Sequence, residues 1–378
     1  MKRTLIFSFA GLIIGLVVGY VLNFRTPVRP LLKLPGSQIV GFLPYWLASR
    51  AAKSYPDTLT TLAYFSLTID SNGNIQKLAN EQEEEPGWHA LTSGLMDPFF
   101  EKAKKNNQLL SLVVFSGDND SINTLVNDPI PSAQHLTQDV LPIMKKYGFT
   151  ELNLDIESTS VASEEARKHF TQFVKEVKRG LGKSSGLTLS LDISPSAFIK
   201  KYLVDPVAIA SSIDPLIVMG YDYHYQGSAV TGPVAPLFGA GIMSEFDIQT
   251  AVQKALDIMP AQKIILGVPL YGYEWETIDD TPRSAVIPGT GLAASSNRVS
   301  QLLSNCSTCN AQFDKDALEK YIIYKDTETN TYHQLFYPDK QTMQAKILFA
   351  QKNHLGGMAL WAMGYEDATI LDPLKNYQ

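Results

Sequence analysis

The run YGFTELNLDIE (residues 147–157) carries the strongest pattern in this sequence. Asn153, Asp155 and Glu157 alternate with three apolar residues, so a β-strand would place the polar groups on one face and the apolar groups on the other. An amphipathic surface strand would show a similar alternation. Two carboxylates in a row repel one another, however, and are costly on an inward face unless they raise each other's pKa for acid–base chemistry. The run therefore predicts a catalytic strand.

Seven further apolar runs of strand length follow residue 37, and segments with helical periodicity lie between them. Ser163 can cap a helix that stops at Gly182, Asp247 opens a second helix, and Asp339 opens a third. Alternating strands and helices indicate parallel βαβ units. Eight such strands predict an α/β fold closed into a (β/α)₈ TIM barrel rather than an open sheet. The predicted strands cover residues 38–43, 61–68, 109–115, 151–156, 187–193, 216–219, 264–268 and 358–363.

One segment breaks this rhythm between the seventh and eighth strands. Residues 277–338 are too many for a barrel loop and include two aromatic-rich runs, YIIY (321–324) and TYHQLFY (331–337). Both runs have the composition of short strands. We therefore predict a small inserted α+β subdomain at residues 277–338.

The first residues differ in character from the rest. Lys2 and Arg3 precede an uncharged run, residues 4–23, which has the length of a bilayer-spanning helix. A cleaved signal peptide is the alternative, but residues 19–24 offer no convincing cleavage site. We expect an uncleaved transmembrane anchor (1–24), a proline-rich spacer (25–36) and a folded domain (37–378). Lys2 and Arg3 favour an inside N-terminus, although Arg25 and Arg29 follow on the other flank, so we expect a membrane-anchored, extracytoplasmic envelope protein.

Composition excludes several classes of function. The hydrophobic content of 45% suffices for a large core, while a net charge of −6 argues against nucleic acid as a partner. There is no phosphate-binding glycine loop, and the six histidines are scattered, His224 alone lying near a predicted strand end. We expect no metal and no cofactor, and we expect a monomer.

Only two cysteines occur, Cys306 and Cys309. A lone C-x-x-C could be half of a zinc site, a redox pair or a short-loop disulfide. Without further cysteines zinc is disfavoured, and outside the membrane a local disulfide is the preferred interpretation.

In a barrel of this class the chemistry lies at the carboxyl ends of the strands. Acids and aromatic residues collect at these predicted ends, where a sugar ring could stack on an aromatic face while its hydroxyls find hydrogen bonds. For Trp275, as for Trp46 and Trp88, an ordinary role as a strand or rim residue is equally compatible with the sequence. The residues at these ends include Tyr45, Glu157, Tyr221, Asp222, Trp275 and Trp361.

Several of these segments match one known family. The fourth strand resembles the D-x-x-D-x-D-x-E signature of family 18 glycoside hydrolases, the chitinases and their relatives. VMGYD (218–222) resembles the family's M-x-Y-D element, and TGPVAPL (231–237), ILGVPLYG (265–272) and GGMALW (356–361) resemble its later segments. GFLPYW (41–46) and LWAMGYED (360–367) are similar to the bacterial branch of spore-cortex lytic and germination-type enzymes.

The resemblance implies a retaining, substrate-assisted hydrolysis of N-acetylglucosaminide bonds, which departs from the usual two-carboxylate scheme. Glu157 would act as general acid and then as base. Asp155 would orient the substrate acetamide and share a proton with Glu157, and Tyr221 would donate its hydroxyl to the acetamide oxygen. Substrate contacts would come from Asn153, Asp222, Met219, Trp361, Tyr45 and Trp275.

Two positions depart from the signature, since Thr150 and Asn153 stand where the family has aspartates. Asn153 could still hydrogen-bond Asp155 but carries no charge, so we expect a shifted pH profile rather than an inactive enzyme. The predicted substrate is a polymer containing N-acetylglucosamine, either chitin-like or peptidoglycan, and an envelope anchor favours the second. Two other hypotheses remain open: a lectin-like binding protein on the same barrel, and a barrel with an unrelated purpose.

Overall fold

The computed structural model describes residues 37–182, 184, 186–241, 246–307, 309–367 and 369–377. The predicted anchor (1–24) and spacer (25–36) lie outside these described residues. Within the described ranges, no helix combines the length and the apolar character needed to cross a membrane.

Eight parallel strands close into a barrel, which confirms the predicted fold class. In chain order the fifteen described strands are β1 Gln38–Pro44, β2 Thr61–Thr68, β3 Leu78–Asn80, β4 Glu83–Glu84, β5 Leu109–Ser116, β6 Glu151–Ile156, β7 Thr188–Ile193, β8 Leu216–Met219, β9 Ile264–Pro269, β10 Tyr271–Thr277, β11 Leu292–Ser295, β12 Gln312–Asp314, β13 Glu319–Lys325, β14 Tyr332–Tyr337 and β15 Gly357–Trp361. The barrel order is β1-β15-β9-β8-β7-β6-β5-β2, and β3 pairs with β4 in a separate hairpin. All eight predicted strands exist; three have the predicted bounds, and the ends of the other five are displaced by one or two residues.

The predicted helix starts are confirmed by their capping bonds. Ser163 accepts a hydrogen bond from the amide of Ala166 at 3.1 Å, and Asp247 and Asp339 cap their helices in the same way. The described α-helices are α1 Pro86–Thr92, α2 Asp97–Lys105, α3 Asn119–Asn127, α4 Pro129–Tyr147, α5 Glu164–Leu181, α6 Pro206–Ile209, α7 Ile248–Leu256, α8 Ser296–Asn305 and α9 Lys340–Lys352.

The inserted subdomain is present, but its predicted start at residue 277 was wrong. A five-stranded antiparallel sheet of order β11-β10-β14-β13-β12 begins already at Tyr271, immediately after β9. The chain leaves the barrel at Leu270, whose amide donates to the carbonyl of Trp361 at 2.7 Å, and β10 then pairs with β14. Because a barrel strand is followed directly by a strand of the inserted sheet, residues 264–277 form one continuous run, and no boundary is visible in the sequence.

Cys306 and Cys309 form the predicted local disulfide, with an S–S distance of 2.04 Å. The bridge lies directly after α8, and Cys309 packs with Ile322 and Leu335 in the apolar core of the insertion. It therefore fastens the end of that helix to the inserted sheet.

The barrel interior is apolar on most strands and polar on two. Val40, Phe42, Ala63, Phe65, Val113, Ile217, Ile265 and Ala359 form one buried cluster, with Phe115 and Trp361 packed against it. On β6 and β7, buried polar side chains alternate with the buried apolar ones; they are Asn153, Asp155, Ser190 and Asp192. This polar sector lies beside the cavity at the carboxyl end of the barrel.

Candidate active site at the carboxyl end of the barrel

A cavity of about 490 Å³ opens where the strands end. Four carboxylates contribute to its walls, together with an aromatic residue from β15 and several from the segment that follows β8. Its lining consists of Asp155, Glu157, Asp192, Ser194, Pro195, Ser196, Lys200, Met219, Tyr221, Asp222, Tyr223, Tyr225, Phe246 and Trp361. The structure thus brings together six of the residues predicted from the sequence.

Asp155 and Glu157 occupy the end of β6. The amide of Glu157 donates to the carbonyl of Ser116 at 2.8 Å, which fixes the acid just beyond the strand. Burial raises the pKa of Asp155 well above its ordinary value, and the charges of Glu157 and Asp192 add to this. Burial and the charge of Asp222 also raise the pKa of Glu157. Such a pair retains a proton toward neutral pH, as a general acid must.

Tyr221 and Asp222 follow directly on β8. Asp222 has a φ of 58°, a left-handed conformation that is uncommon for a residue other than glycine and that clusters at functional sites. The hydroxyl of Tyr271 donates to the carboxylate of Asp222, which holds this side chain in place. Burial raises the pKa of Tyr221 well above its ordinary value, so its hydroxyl remains a proton donor. Met219 supplies apolar surface to the same wall.

Trp361 ends β15 and is half-buried at the base of the cavity. Its ring packs edge-on against Phe65, with centroids 4.6 Å apart, and against Phe42 at 5.9 Å. Phe65 in turn contacts Trp46 at the rim, with centroids 5.7 Å apart. This row of rings fixes the orientation of Trp361 and leaves part of its surface available to the cavity.

Asn153 does not line the cavity, so the prediction that it contacts substrate is not supported by its position. Its side chain is buried, and its Nδ2 donates to Ser190 Oγ at 3.0 Å and to Asp192 Oδ1 at 2.8 Å. The expected bond to Asp155 is therefore replaced by bonds to β7. A prediction made from β6 alone could not include a partner on the neighbouring strand.

Two further predicted substrate contacts, Trp275 and Tyr45, lie away from the cavity, and so does His224, which the sequence places near a strand end. Trp275 is fully buried in the inserted subdomain, where it packs near Phe336 and its Nε1 donates to the carbonyl of Tyr225 at 3.2 Å. Tyr45 is half-buried against Trp46 and does not line the cavity. His224 contacts the carbonyl of Pro233 through Nδ1 at 2.8 Å, and burial lowers its pKa. The face of Trp275 is thus closed to a sugar ring.

The structure adds residues that the sequence analysis missed, above all Asp192. The segment TLSLDI (188–193) alternates polar and apolar residues in the same way as β6, so the sequence itself contains the pattern that points to Asp192. Among the described residues, no group of three or more histidine, cysteine or acidic side chains is arranged to hold a metal ion.

Buried acids beside a tryptophan, at the carboxyl end of a closed parallel barrel, define a site of the kind found in enzymes that cleave carbohydrates. Residues 38–366 match the model of the glycosyl hydrolases family 18. The chain therefore belongs to this family and is a glycoside hydrolase.

Individual relatives agree with this assignment. A cortical fragment-lytic enzyme of Bacillus subtilis is 24% identical over 332 residues, covering 84% of this chain and 67% of the relative. A class V chitinase of Arabidopsis thaliana is 26% identical over 357 residues, covering 88% of this chain and 87% of the relative. The structure of a family 18 chitinase from Cycas revoluta in complex with (GlcNAc)₃ superimposes with a TM-score of 0.74 at 20% identity. The superposition covers 90% of this chain and 99% of the chitinase. The predicted kinship with spore-cortex lytic enzymes is confirmed.

Proposed function

We propose that this protein hydrolyses β-linked N-acetylglucosamine polymers by a retaining, substrate-assisted mechanism. The observation that carries the proposal is the pair Asp155 and Glu157, both with raised pKa, in a cavity that also contains Trp361. A single proton donor beside a second acid, with a neutral tyrosine across the cavity, suits a reaction in which the substrate supplies its own nucleophile.

Each residue has a distinct task in this mechanism. Glu157 protonates the glycosidic oxygen as the bond to the leaving group breaks, and then removes a proton from the incoming water. Asp155 accepts a hydrogen bond from the acetamide N–H of the sugar and orients the acetamide oxygen toward the anomeric carbon. Tyr221 donates its hydroxyl to that oxygen, and the oxazolinium ion that forms is opened by water with net retention.

Asp222 and Trp361 hold the sugar that is cleaved. Asp222, fixed by Tyr271, accepts a hydrogen bond from a sugar hydroxyl or the acetamide. Trp361 and Met219 form the apolar surface on which the C–H face of the ring rests. Asp222 and Trp361 are both held in fixed positions. This supports attack by the substrate's own acetamide group, because an intramolecular reaction depends on the alignment of the reacting atoms.

For the substrate we favour the glycan strands of peptidoglycan over free chitin. The names of the Bacillus relatives refer to spore cortex, and the expected anchor and spacer would keep the barrel close to the envelope. We therefore propose an envelope-anchored, extracytoplasmic enzyme.

The deciding experiment incubates the full-length chain with chitin hexaose and with purified peptidoglycan, and identifies the products by mass spectrometry. Proton NMR of the first products reports the anomer formed, and retention predicts the β-anomer. Release from peptidoglycan in preference to chitin hexaose supports the substrate assignment. Binding of either glycan without any release would overturn the hydrolytic proposal, and the α-anomer would overturn the mechanism.

Trp361→Ala tests the proposed sugar platform. We expect KM for the oligosaccharide to rise about tenfold, because roughly 1.4 kcal/mol of stacking and apolar contact is lost. Trp361→Phe retains a ring and should lose less. Trp88→Ala is the matched control, since this half-buried tryptophan lies on α1 and does not line the cavity. Equal KM for the alanine variant at 361 and the wild type would contradict the platform.

A further inference from the structure

Strand β7 places a third carboxyl beside the pair on β6. The register between these strands pairs Asn153 with Ser190 and Leu154 with Leu191. Its continuation by one residue sets Asp192 next to Asp155. Asp192 is buried and lines the main cavity as well as a smaller one of about 180 Å³ that also contains Glu157.

A hydrogen bond connects the carboxyl of Asp192 to Asn153, the position where the family signature has an aspartate. Asn153 Nδ2 donates to Asp192 Oδ1 at 2.8 Å, so the amide is bound to β7. Within the described residues, Asn153 Oδ1 and Asp155 Oδ1 are buried and have no hydrogen-bond partner. An oxygen of Asp155 with no donor facing it is better accommodated when the carboxyl carries a proton.

We propose that Asp192 is a positioning residue that supplies, from the neighbouring strand, the carboxyl that the amide at Asn153 cannot supply. Asp192 acts through the acid pair: it shares the protons of the site with Asp155 and so sets the pH range in which Glu157 is protonated. The catalytic consequence rests on the proposed function, but the shared protonation does not.

The electrostatic surroundings of Asp192 agree with this role. Asp155, Glu157 and Glu151 face it from β6, Tyr221 and Asp222 from the end of β8, and Lys200 contributes to the same cavity wall. Burial raises the pKa of Asp192 well above its ordinary value, and the charges of Glu157 and Glu151 raise it further, against the bond from Asn153. Asp155 and Asp192 are buried beside Glu157, and three carboxyls this close together do not all ionise near neutral pH, so their protons belong to the group as a whole.

Moving the carboxyl between the two strands tests the proposal, with the pH dependence of kcat/KM as the readout. In the wild type, the last proton of the three carboxyls is lost while the other two are negatively charged. In Asp192→Asn only one other carboxyl is charged when that proton is lost. The basic limb should therefore move to lower pH by about one unit. Asn153→Asp adds a charge and should move the limb to higher pH, and the double variant should return it close to the wild-type position.

Ser190→Ala is the matched control, because it removes the other hydrogen bond of Asn153 without changing any charge. Its basic limb should stay in place. An unmoved limb in both Asp192→Asn and Asn153→Asp would overturn the proposal, as would a double variant that fails to restore the wild-type profile. If Asp192→Asn does not fold, Asp192→Ser removes the same charge, and its basic limb should also move to lower pH.

The melting temperature of the full chain as a function of pH separates this proposal from the proposed function. A carboxyl with a raised pKa binds more protons in the folded state, so stability falls as pH rises from its ordinary value of 3.8 through the folded-state pKa. Asp192→Asn should make that fall shallower than in the wild type. If the wild type shows no hydrolytic activity but its melting temperature falls more steeply with pH than that of Asp192→Asn, the result supports the shared protonation and overturns the proposed function. An identical fall in both proteins would overturn the role of Asp192.

Discussion

We expect Glu157→Gln to lower kcat on N-acetylglucosamine oligomers by about 10²–10⁴-fold and to leave binding of the oligomer intact. Glutamine has the same shape as glutamate but cannot donate a proton to the glycosidic oxygen or accept one from water. The loss appears in kcat because the carboxyl acts in the transition state, whereas the contacts with Trp361 and Asp222 remain. Initial rates measured by mass spectrometry give kcat, and quenching of tryptophan fluorescence gives Kd.

Glu151→Gln is the matched control for this experiment. Glu151 lies on the same strand, is also an acid with a raised pKa, and accepts a hydrogen bond from Ser111 Oγ at 2.8 Å, but it does not line the cavity. At the pH optimum of each protein, kcat of Glu151→Gln should stay near that of the wild type, because Glu151 acts on the site only through the pKa of Asp192. Wild-type turnover in Glu157→Gln would contradict the assignment of the general acid.

The barrel and the acidic residues of the site could be predicted because both depend on patterns that are local in the sequence. Strands and capped helices repeat with clear periods, and the alternation in β6 places Asp155 and Glu157 without knowledge of any other strand. The segment after β8 behaves similarly, since Tyr221 and Asp222 follow the strand end directly. In each case the neighbours along the chain determine where the side chain lies.

The errors concern residues whose role depends on neighbours that are distant in sequence. Trp275 has the alternation of a rim strand, but β10 pairs with β14, some sixty residues later, and this pairing buries the ring. Asn153 was expected to contact Asp155, yet the donors and acceptors of β7 are closer. The role of Asp192 is not visible in its own strand, because it depends on the contacts of Asp192 with Asn153 and Asp155 on β6. The expected anchor lies outside the described residues and stays a prediction.

The loop that follows β8 is held in place by a buried carboxylate of the insertion. Glu319, on β13, accepts hydrogen bonds from the amides of Val234 and Ala235 at 2.7 and 2.9 Å. The carbonyl of Val234 then accepts from the amide of Tyr223, which lines the cavity. The insertion therefore supports the wall of the site through Glu319, and its removal should affect both stability and catalysis.

Lys346, on α9, is the cation that accompanies Glu319. It is almost fully buried, and its Nζ has no hydrogen-bond partner within the described part of the chain. Burial lowers the pKa of Lys346 to about 8, although the charges of Glu319 and Asp339 act in the opposite direction. Burial likewise raises the pKa of Glu319, against the charge of Lys346. Each charge thus depends on the other to remain ionised in the interior.

Glu319→Ala should therefore destabilise the protein by about 3–5 kcal/mol, because a buried lysine loses its counter-charge and two backbone amides lose their acceptor. Urea denaturation of the full chain measures this loss. Glu328→Ala, an exposed acid in the same subdomain, is the control and should change the free energy of unfolding by less than about 0.5 kcal/mol. A loss for Glu319→Ala no larger than that of the control would refute the support role.

The pH dependence of this loss distinguishes the buried lysine from a simple packing defect. In Glu319→Ala the folded-state pKa of Lys346 falls further below its ordinary value of 10.5, so the folded state binds fewer protons than the unfolded state. Relative to the wild type, the stability of the variant then increases as pH rises from the folded-state pKa of the variant to the wild-type value of about 8, because above that pH Lys346 is neutral in both folded proteins. The difference between the two proteins should therefore shrink as pH rises toward about 8 and stay constant above it. A difference that is constant below that pH as well would assign the loss to the missing hydrogen bonds of Val234 and Ala235 alone.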